Sequence, residues 1–160
     1  MVAGRKEARR MPASQGIAHA LLAVDGSPAS QRAAEQACRL LAAFPGAKVT
    51  ILYVAHLPRD LQMTAGGDKV IVEFPLSGLV RATAAPVFAS VARALGALAE
   101  RAETEVQVGE PAREICEFAT AEGVDLIIMG VRGSGHDGVS VGSVSTRVLS
   151  LAPCPVMLVQ

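Results

Sequence analysis

A glycine-rich stretch in the last third of the chain carries the residue types best suited to chemistry. It reads IIMGVRGSGHDGVSVGSVS over Ile127–Ser145, with five glycines between an apolar run and a segment of helical spacing. Gly130 and Gly133 permit close approach of the backbone just after the apolar run. Gly142 and Ser143 then open a helix, whose free N–H groups and dipole favour an anion. The pattern predicts a cradle for phosphate, in which the Ser143 hydroxyl donates to a phosphate oxygen.

Two familiar phosphate cradles do not fit this stretch. The P-loop requires a lysine after its second glycine, and no lysine occurs here. The run Gly133–Gly138 matches GxGxxG literally, but it begins several residues after the predicted strand, and no later strand offers an acidic residue to a ribose. Without a lysine, phosphate binding would need a divalent ion such as Mg²⁺ to share the charge. The carboxylate of Asp137 strengthens that need, because it repels a phosphate unless a metal intervenes.

Other reactive side chains are scattered along the chain. His19 and His56 lie near predicted strand ends without partners at ligand spacing, and His136 lies in the glycine-rich stretch, either solvated or near a phosphate or metal. No Ser–His–Asp set can be placed. The chain has three cysteines and no CxxC pair, which argues against zinc and disulfides. We therefore predict neither a metal site made by the protein alone nor a catalytic residue.

Strand-like runs and helical repeats alternate along the chain, and this order has to position the cradle. The predicted strands are His19–Val24, Lys48–Ala55, Thr104–Val108, Asp125–Met129 and Val156–Val159; the predicted helices begin at Ser27-Pro28, at about Leu79 (ending near Ala102), at Glu110-Pro111 and at Ser143. Residues 57–77 are irregular, with KVIVEF as a short strand or a loop. The alternation predicts a single α/β domain, with an open five-stranded parallel sheet and helices on both faces. Ligands of such Rossmann-like sheets lie beyond the carboxyl ends of the strands, where the strand order reverses.

Composition excludes several classes of partner. The 160 residues are 51% hydrophobic and have no net formal charge, so nucleic acid is a poor default partner. No apolar run is long enough to span a bilayer, and residues 1–16 are charged and small, without the apolar centre of a secretion signal. We expect a cytoplasmic protein with no membrane partner, in which residues 1–16 form a flexible arm ahead of a domain over residues 17–160.

Three stretches together resemble the universal stress protein family: LLAVDGSPAS, GEPAREICEFATAEGVDLIIMGVRG and GSVSTRVLSLAPCPVMLV. The resemblance covers nearly the whole predicted domain and implies a fold of the adenine nucleotide alpha hydrolase type. The nucleotide-binding branch of the family carries glycine, two residues, glycine, nine residues, and then Gly-Ser or Gly-Thr. Gly130, Gly133 and Gly142-Ser143 match in type, but only eight residues separate Gly133 from Gly142. The spacing is thus one residue shorter than the family pattern.

The resemblance also implies roles for individual residues. Asp25 would face the adenosine, although an aspartate at this turn is equally explained by its bonds to backbone N–H groups. Val54 would meet adenine through its backbone and Met129 would pack near the nucleoside, and for both the alternative is a place in the core. The remaining implied contacts are to ribose and phosphates, from Gly130, Arg132, Gly133, Gly142, Ser143 and Val144. The alternatives are an ordinary turn for the first two glycines, an exposed surface position for Arg132, and an ordinary helix start for the last three residues.

Two functions follow from these expectations. The first is a universal stress protein that binds ATP or a related adenine nucleotide, with Mg²⁺, and acts as a dimeric stress-response regulator with at most slow hydrolysis. The second is a module of the same fold that binds no nucleotide and works through dimerisation or partner contact, which the short spacing and Asp137 favour. In both, the resemblance implies a homodimer through the last strand, Val156–Val159, because an apolar edge strand tends to be paired or covered.

Overall fold

The computed structural model describes residues 16–56, 76–132 and 141–160. Its elements in chain order are β1 (His19–Val24), α1 (Pro28–Leu41), β2 (Lys48–Ala55), α2 (Leu76–Leu95), a 3₁₀ helix (Gly96–Arg101), β3 (Ala102–Val108), α3 (Pro111–Ala121), β4 (Leu126–Gly130), α4 (Ser143–Leu151) and β5 (Val156–Val159). Three sequence predictions fall outside the described residues: the N-terminal arm up to residue 15, the KVIVEF segment, and the glycine-rich loop from Gly133 to residue 140 with His136 and Asp137.

The five strands form one parallel sheet in the order β3-β2-β1-β4-β5. β1 lies at the centre, and all six of its residues are buried, which is why its sequence is a continuous apolar run rather than an alternating one. The chain moves outward from β1 to β3, returns to the other side of β1 at β4, and ends at the edge strand β5. The predicted fold class is confirmed: an open α/β sheet with helices on both faces.

Each face of the sheet is covered by a pair of helices. On one face, α1 and α2 pack against alternate strand residues such as Leu22 and Ile51. On the other face, α3 and α4 pack against Leu21, Leu52 and Ile127. The small side chains along the inner stripe of α1 are fully buried and let the helix lie close to the sheet. Two separate cores result, one above and one below the strands.

Helix starts and stops follow the signals in the sequence. The Ser27 hydroxyl caps α1 by accepting the N–H of Ser30 at 3.2 Å, with Pro28 at the first helical position. Glu110 caps α3 in the same way, by accepting the N–H groups of Ala112 and Arg113 at 3.3 and 3.0 Å. Beyond α3, Gly123 has a φ of 64°, the left-handed conformation predicted for it.

The predicted helix over about Leu79–Ala102 is wrong at both ends. α2 begins at Leu76, and its α-helical part ends at Leu95, because Gly96 takes a φ of 56° and the chain continues as a 3₁₀ helix to Arg101. Ala102, assigned to the helix, is instead the first residue of β3, two residues before the predicted strand start. The helical repeat of apolar residues continues across Gly96 because Leu95 and Leu98 both reach the core.

One apolar stretch corrects the expectation that no segment is long enough to span a bilayer. Among the described residues, Val80–Arg101 is 22 residues long and apolar enough to do so by length and composition. Its inner residues, among them Val91 and Leu95, are fully buried against the core formed with α1. Only 22% of the apolar window is buried in the structure, and the positive φ of Gly96 ends the regular α-helix within this stretch.

Candidate functional site

A cavity of about 450 Å³ opens at the carboxyl ends of β1, β2 and β4. It lies where the strand order reverses, since β1 is flanked by β2 on one side and by β4 on the other. Residues near the starts of α3 and α4 also line it. Eight of the nine predicted site residues line it: Asp25, Val54, Met129, Gly130, Arg132, Gly142, Ser143 and Val144. The ninth, Gly133, lies outside the described residues.

The N-terminus of α4 forms the polar end of this cavity. Gly142 is the N-cap residue, with extended backbone at φ −61° and ψ 152°, and among the described residues no side chain caps the helix. The N–H of Gly142 itself donates to the carbonyl of Val131 at 2.9 Å. The first-turn amides of Ser143, Val144 and Ser145 are the groups that an uncapped helix leaves to water or a ligand. This end of the cavity can therefore accept an anion.

The starts of α1 and α3 differ from that of α4. Ser27 caps α1 with a hydroxyl oxygen, and Glu110 caps α3 with both oxygens of a carboxylate. Some of their first-turn amides are thus already paired with side chains of the cap residues. Of these three helix N-termini, only that of α4 is uncapped, and it lines the cavity directly.

Part of the cavity wall is apolar. Val54 and Met129 line it; Met129 is also buried in the core between the sheet and the pair α3 and α4, and Val54 is half-buried and packs against that core. Packing in the core thus coexists with a place on the cavity wall. Pro111 and Ile115 of α3 complete this apolar part. A flat, weakly polar group such as a nucleobase matches such a surface.

Gly130 has a packing role that the sequence reading did not anticipate. A Cβ atom at this position would lie 2.7 Å from the Cβ of Ala29, 2.8 Å from its carbonyl carbon and 3.0 Å from the backbone nitrogen of Ser30. The absence of a side chain thus lets the first turn of α1 approach the end of β4. Gly130 also lines the cavity, so close packing and close approach to a ligand both apply at this residue.

Charged and titratable groups lie at the rim of the cavity. Asp25 is exposed, and its Oδ1 accepts the N–H of Ser27 at 3.0 Å, which is the turn role that the sequence offered as an alternative. Arg132 is half-buried, and its carbonyl accepts the Ser27 hydroxyl at 3.4 Å. His56 also lines the cavity, beyond the end of β2. Within residues 16–56, 76–132 and 141–160, no three His, Cys, Asp or Glu side chains converge as metal ligands would.

Several lining residues were not among the predicted site residues. Pro111 and Ile115 come from α3, and their nearness to the end of β1 depends on the packing of distant segments. His56 follows β2 directly, so its place beyond a strand end could have marked it as a candidate. The sequence predicts only that Ser145 is helical, although its side chain is buried beside the cavity and its hydroxyl donates to carbonyls at the end of β4.

Comparison with known proteins identifies the family. A model of the universal stress protein family matches residues 16–160. The chain belongs to the universal stress protein family. Universal stress protein YxiE of Bacillus subtilis is 33% identical to it over 147 residues, which cover 88% of this chain and 97% of that protein. Universal stress protein UspA from Lactobacillus plantarum is 28% identical, with a TM-score of 0.66 over 90% of this chain and 98% of that one.

Two more distant universal stress proteins of the same fold have been solved with nucleotides. One is a complex with cAMP, 20% identical to this chain with a TM-score of 0.59, covering 91% of this chain and 99% of that one. The other, from Arabidopsis thaliana, has AMP bound; it is 17% identical with a TM-score of 0.55, covering 88% and 90%. At these identities the two comparisons show a shared fold and nothing further about this chain.

Proposed function

We propose that this universal stress protein binds ATP or a related adenine nucleotide in the cavity at the carboxyl ends of β1, β2 and β4. The phosphates lie against the first turn of α4, and the adenosine lies toward Val54 and Met129. The observation that carries the proposal is the uncapped N-terminus of α4 opening on a cavity at the reversal of strand order. The nucleotide complexes of the two distant family members support the same ligand class.

Binding, rather than chemistry, is the role of the residues around the cavity. The backbone amides of Ser143 and Val144 donate to phosphate oxygens, and the Ser143 hydroxyl adds one more donor. Mg²⁺ would be held mainly by the phosphate oxygens and water, since it prefers to keep several waters and needs few protein ligands. The ion would lower the repulsion between the phosphates and nearby carboxylates such as Asp25.

The direct test is to look for nucleotide in the purified protein. The protein is denatured, and the supernatant is analysed by chromatography for adenine nucleotides; protein stripped of nucleotide is then titrated with Mg-ATP by calorimetry. We expect released nucleotide or a saturable binding isotherm. Neither released nucleotide nor binding heat at millimolar Mg-ATP would reject the proposal.

A matched pair of variants on α4 locates the phosphate site. Ser143→Leu removes the hydroxyl and adds bulk at the first turn, so Mg-ATP binding is lost. Ser150→Leu makes the same change at an exposed position of the last turn, where the hydroxyl donates to Thr146, and leaves binding unchanged. Equal affinity in the two variants would reject the role of the first turn.

The regulatory form proposed here is a homodimer paired through β5. This strand lies at the edge of the sheet, and Val156, Met157 and Leu158 are only half-buried within one chain. Ile127 of β4 and Val131 just beyond it donate to the carbonyls of Pro155 and Val159, so the alternate residues Val156 and Leu158 direct their backbone groups outward. Leu158→Pro removes one outward N–H, and sedimentation should detect a monomer. A variant that stays dimeric with intact circular dichroism would place the interface elsewhere.

The second candidate function is a dimeric module without nucleotide. It is favoured by the spacing of eight residues between Gly133 and Gly142, one fewer than the nucleotide-binding pattern of the family. In that case the purified protein carries no nucleotide but still dimerises. The calorimetric titration and the sedimentation experiment together separate the two functions.

A further inference from the structure

Three hydrogen-bond contacts join the start of α4 to the last residue of β4 and the residue after it. The buried Ser145 hydroxyl lies 3.1 Å from the carbonyl oxygen of Gly130 and 3.1 Å from that of Val131, and its single proton is shared between the two. The N–H of Gly142 donates to the same Val131 carbonyl at 2.9 Å. The two walls of the cavity that meet the phosphates are thus bonded to each other.

We propose that Ser145 is a positioning residue for phosphate binding: its hydroxyl holds the uncapped first turn of α4 at a fixed distance from the end of β4. This inference rests on the proposed function and deepens it. Ser145 does not need to touch the nucleotide with its side chain, because its proton already faces two carbonyl oxygens. Its effect passes through the placement of the amides of Ser143 and Val144.

The same contacts give a physical account of the short spacing in this chain. The number of residues between the two halves of the glycine motif matters for binding if those residues set the distance between the end of β4 and the start of α4. Here that separation is set by bonds between residues that flank the segment, from Gly142 and Ser145 to Gly130 and Val131. Removing one residue between the flanks leaves these bonds in place, and shortening a loop by one residue changes its closure entropy very little.

The test separates the phosphate-dependent part of binding from the rest. Stripped protein is titrated with Mg-ATP and with adenosine, and the dissociation constant for adenosine divided by that for Mg-ATP measures the phosphate contribution. Ser145→Ala should reduce this ratio about tenfold relative to the unmodified chain, with adenosine affinity within about twofold. The matched control is Ser150→Ala, which removes a hydroxyl bonded to a carbonyl one turn back in the same helix and should leave the ratio unchanged.

A second variant keeps the test decisive if alanine disturbs the fold. Ser145→Cys preserves the shape and a weak S–H donor, so it should reduce the ratio by an intermediate factor. An unchanged ratio in both Ser145 variants would overturn the proposal, and so would an equal loss of ATP and adenosine affinity, which a merely structural role produces. If the unmodified chain binds ATP no more tightly than adenosine, the proposed phosphate site itself is rejected. That result is distinct from an unchanged ratio and from an equal loss of both affinities.

The account of the spacing has its own experiment. One glycine inserted after Gly138 restores the family count, and the ratio of dissociation constants should stay within about twofold of the unmodified value. A tenfold gain or loss would show that the intervening residues, rather than the Ser145 bonds, set the distance between the two walls.

Discussion

A carboxylate placed at the N-cap of α4 should stabilise the fold and weaken nucleotide binding at the same time. Gly142 has the extended backbone of an N-cap residue, and no side chain of residues 16–56, 76–132 or 141–160 caps the helix. In Gly142→Asp, the new carboxylate can accept the first-turn N–H groups, as Glu110 does for α3. It then occupies the donors that the phosphates need.

The two effects have magnitudes that can be worked out separately. Relative to glycine, an aspartate N-cap contributes a few tenths of a kcal/mol, and its charge at the positive end of the helix adds about 0.3–1 kcal/mol. The melting temperature should rise by about 1–4 °C for a chain of this size. Against a phosphate oxygen about 4 Å away, one negative charge costs about 4 kcal/mol at an effective dielectric constant near 20. Salt and Mg²⁺ reduce this cost, so we expect at least about 2 kcal/mol, or roughly a 30-fold loss of affinity.

The matched control is Gly142→Asn, which places the same volume at this buried position without the charge. Both variants compete for the same N–H groups and share any steric cost, so the difference between them isolates the charge. Calorimetric titration with Mg-ATP and thermal unfolding by circular dichroism measure both effects. Equal Mg-ATP affinity in the aspartate and asparagine variants would refute the placement of the phosphates at α4.

Three further predictions concern the scaffold. Arg101→Ala should lower the free energy of unfolding by about 1–2 kcal/mol in urea denaturation, because its guanidinium donates to three carbonyls at the end of α1 and in the turn before β2; a change under about 0.3 kcal/mol would contradict this. Gly130→Ala should lower the free energy of unfolding by about 1–3 kcal/mol in the same measurement, since the methyl group would overlap Ala29 and the backbone of α1. An unchanged urea midpoint would contradict this and show that α1 can shift to accommodate the methyl group. Burial raises the pKa of the Cys116 and Cys154 thiols, so both stay protonated further above neutral pH than in the unfolded chain. Iodoacetamide at pH 8 should therefore label them more slowly in the native than in the urea-unfolded protein, and equal rates would contradict the burial.

Much of the fold is predictable because the decisive signals are local. The apolar run of β1, the cap and proline that open α1, and Gly123 after α3 each act within a few residues, and each is found where the sequence indicates. The predicted end of α2 is wrong because the local signal there is misleading. Apolar spacing continues past Gly96, and the spacing alone does not show that this glycine takes a positive φ.

The candidate site is predictable where its residues follow a strand end or open a helix. Asp25 and Met129 can be placed at the cavity because a parallel sheet brings the carboxyl ends of β1 and β4 together. The packing of Gly130 on Ala29 and the bonds of Ser145 to β4 join residues that are distant in sequence, and no local pattern reports them. The same holds for Ile115, whose place on the cavity wall depends on how α3 packs against the sheet.

The most direct test of the central claim is a ¹⁵N–¹H spectrum recorded during titration with Mg-ATP and, separately, with adenosine. If the phosphates bind at the start of α4, the amide resonances of Ser143, Val144 and Ser145 shift with Mg-ATP and stay in place with adenosine, while residues near Val54 respond to both. If Mg-ATP leaves those three amides unmoved, or moves them no more than adenosine does, the first turn of α4 does not hold phosphate.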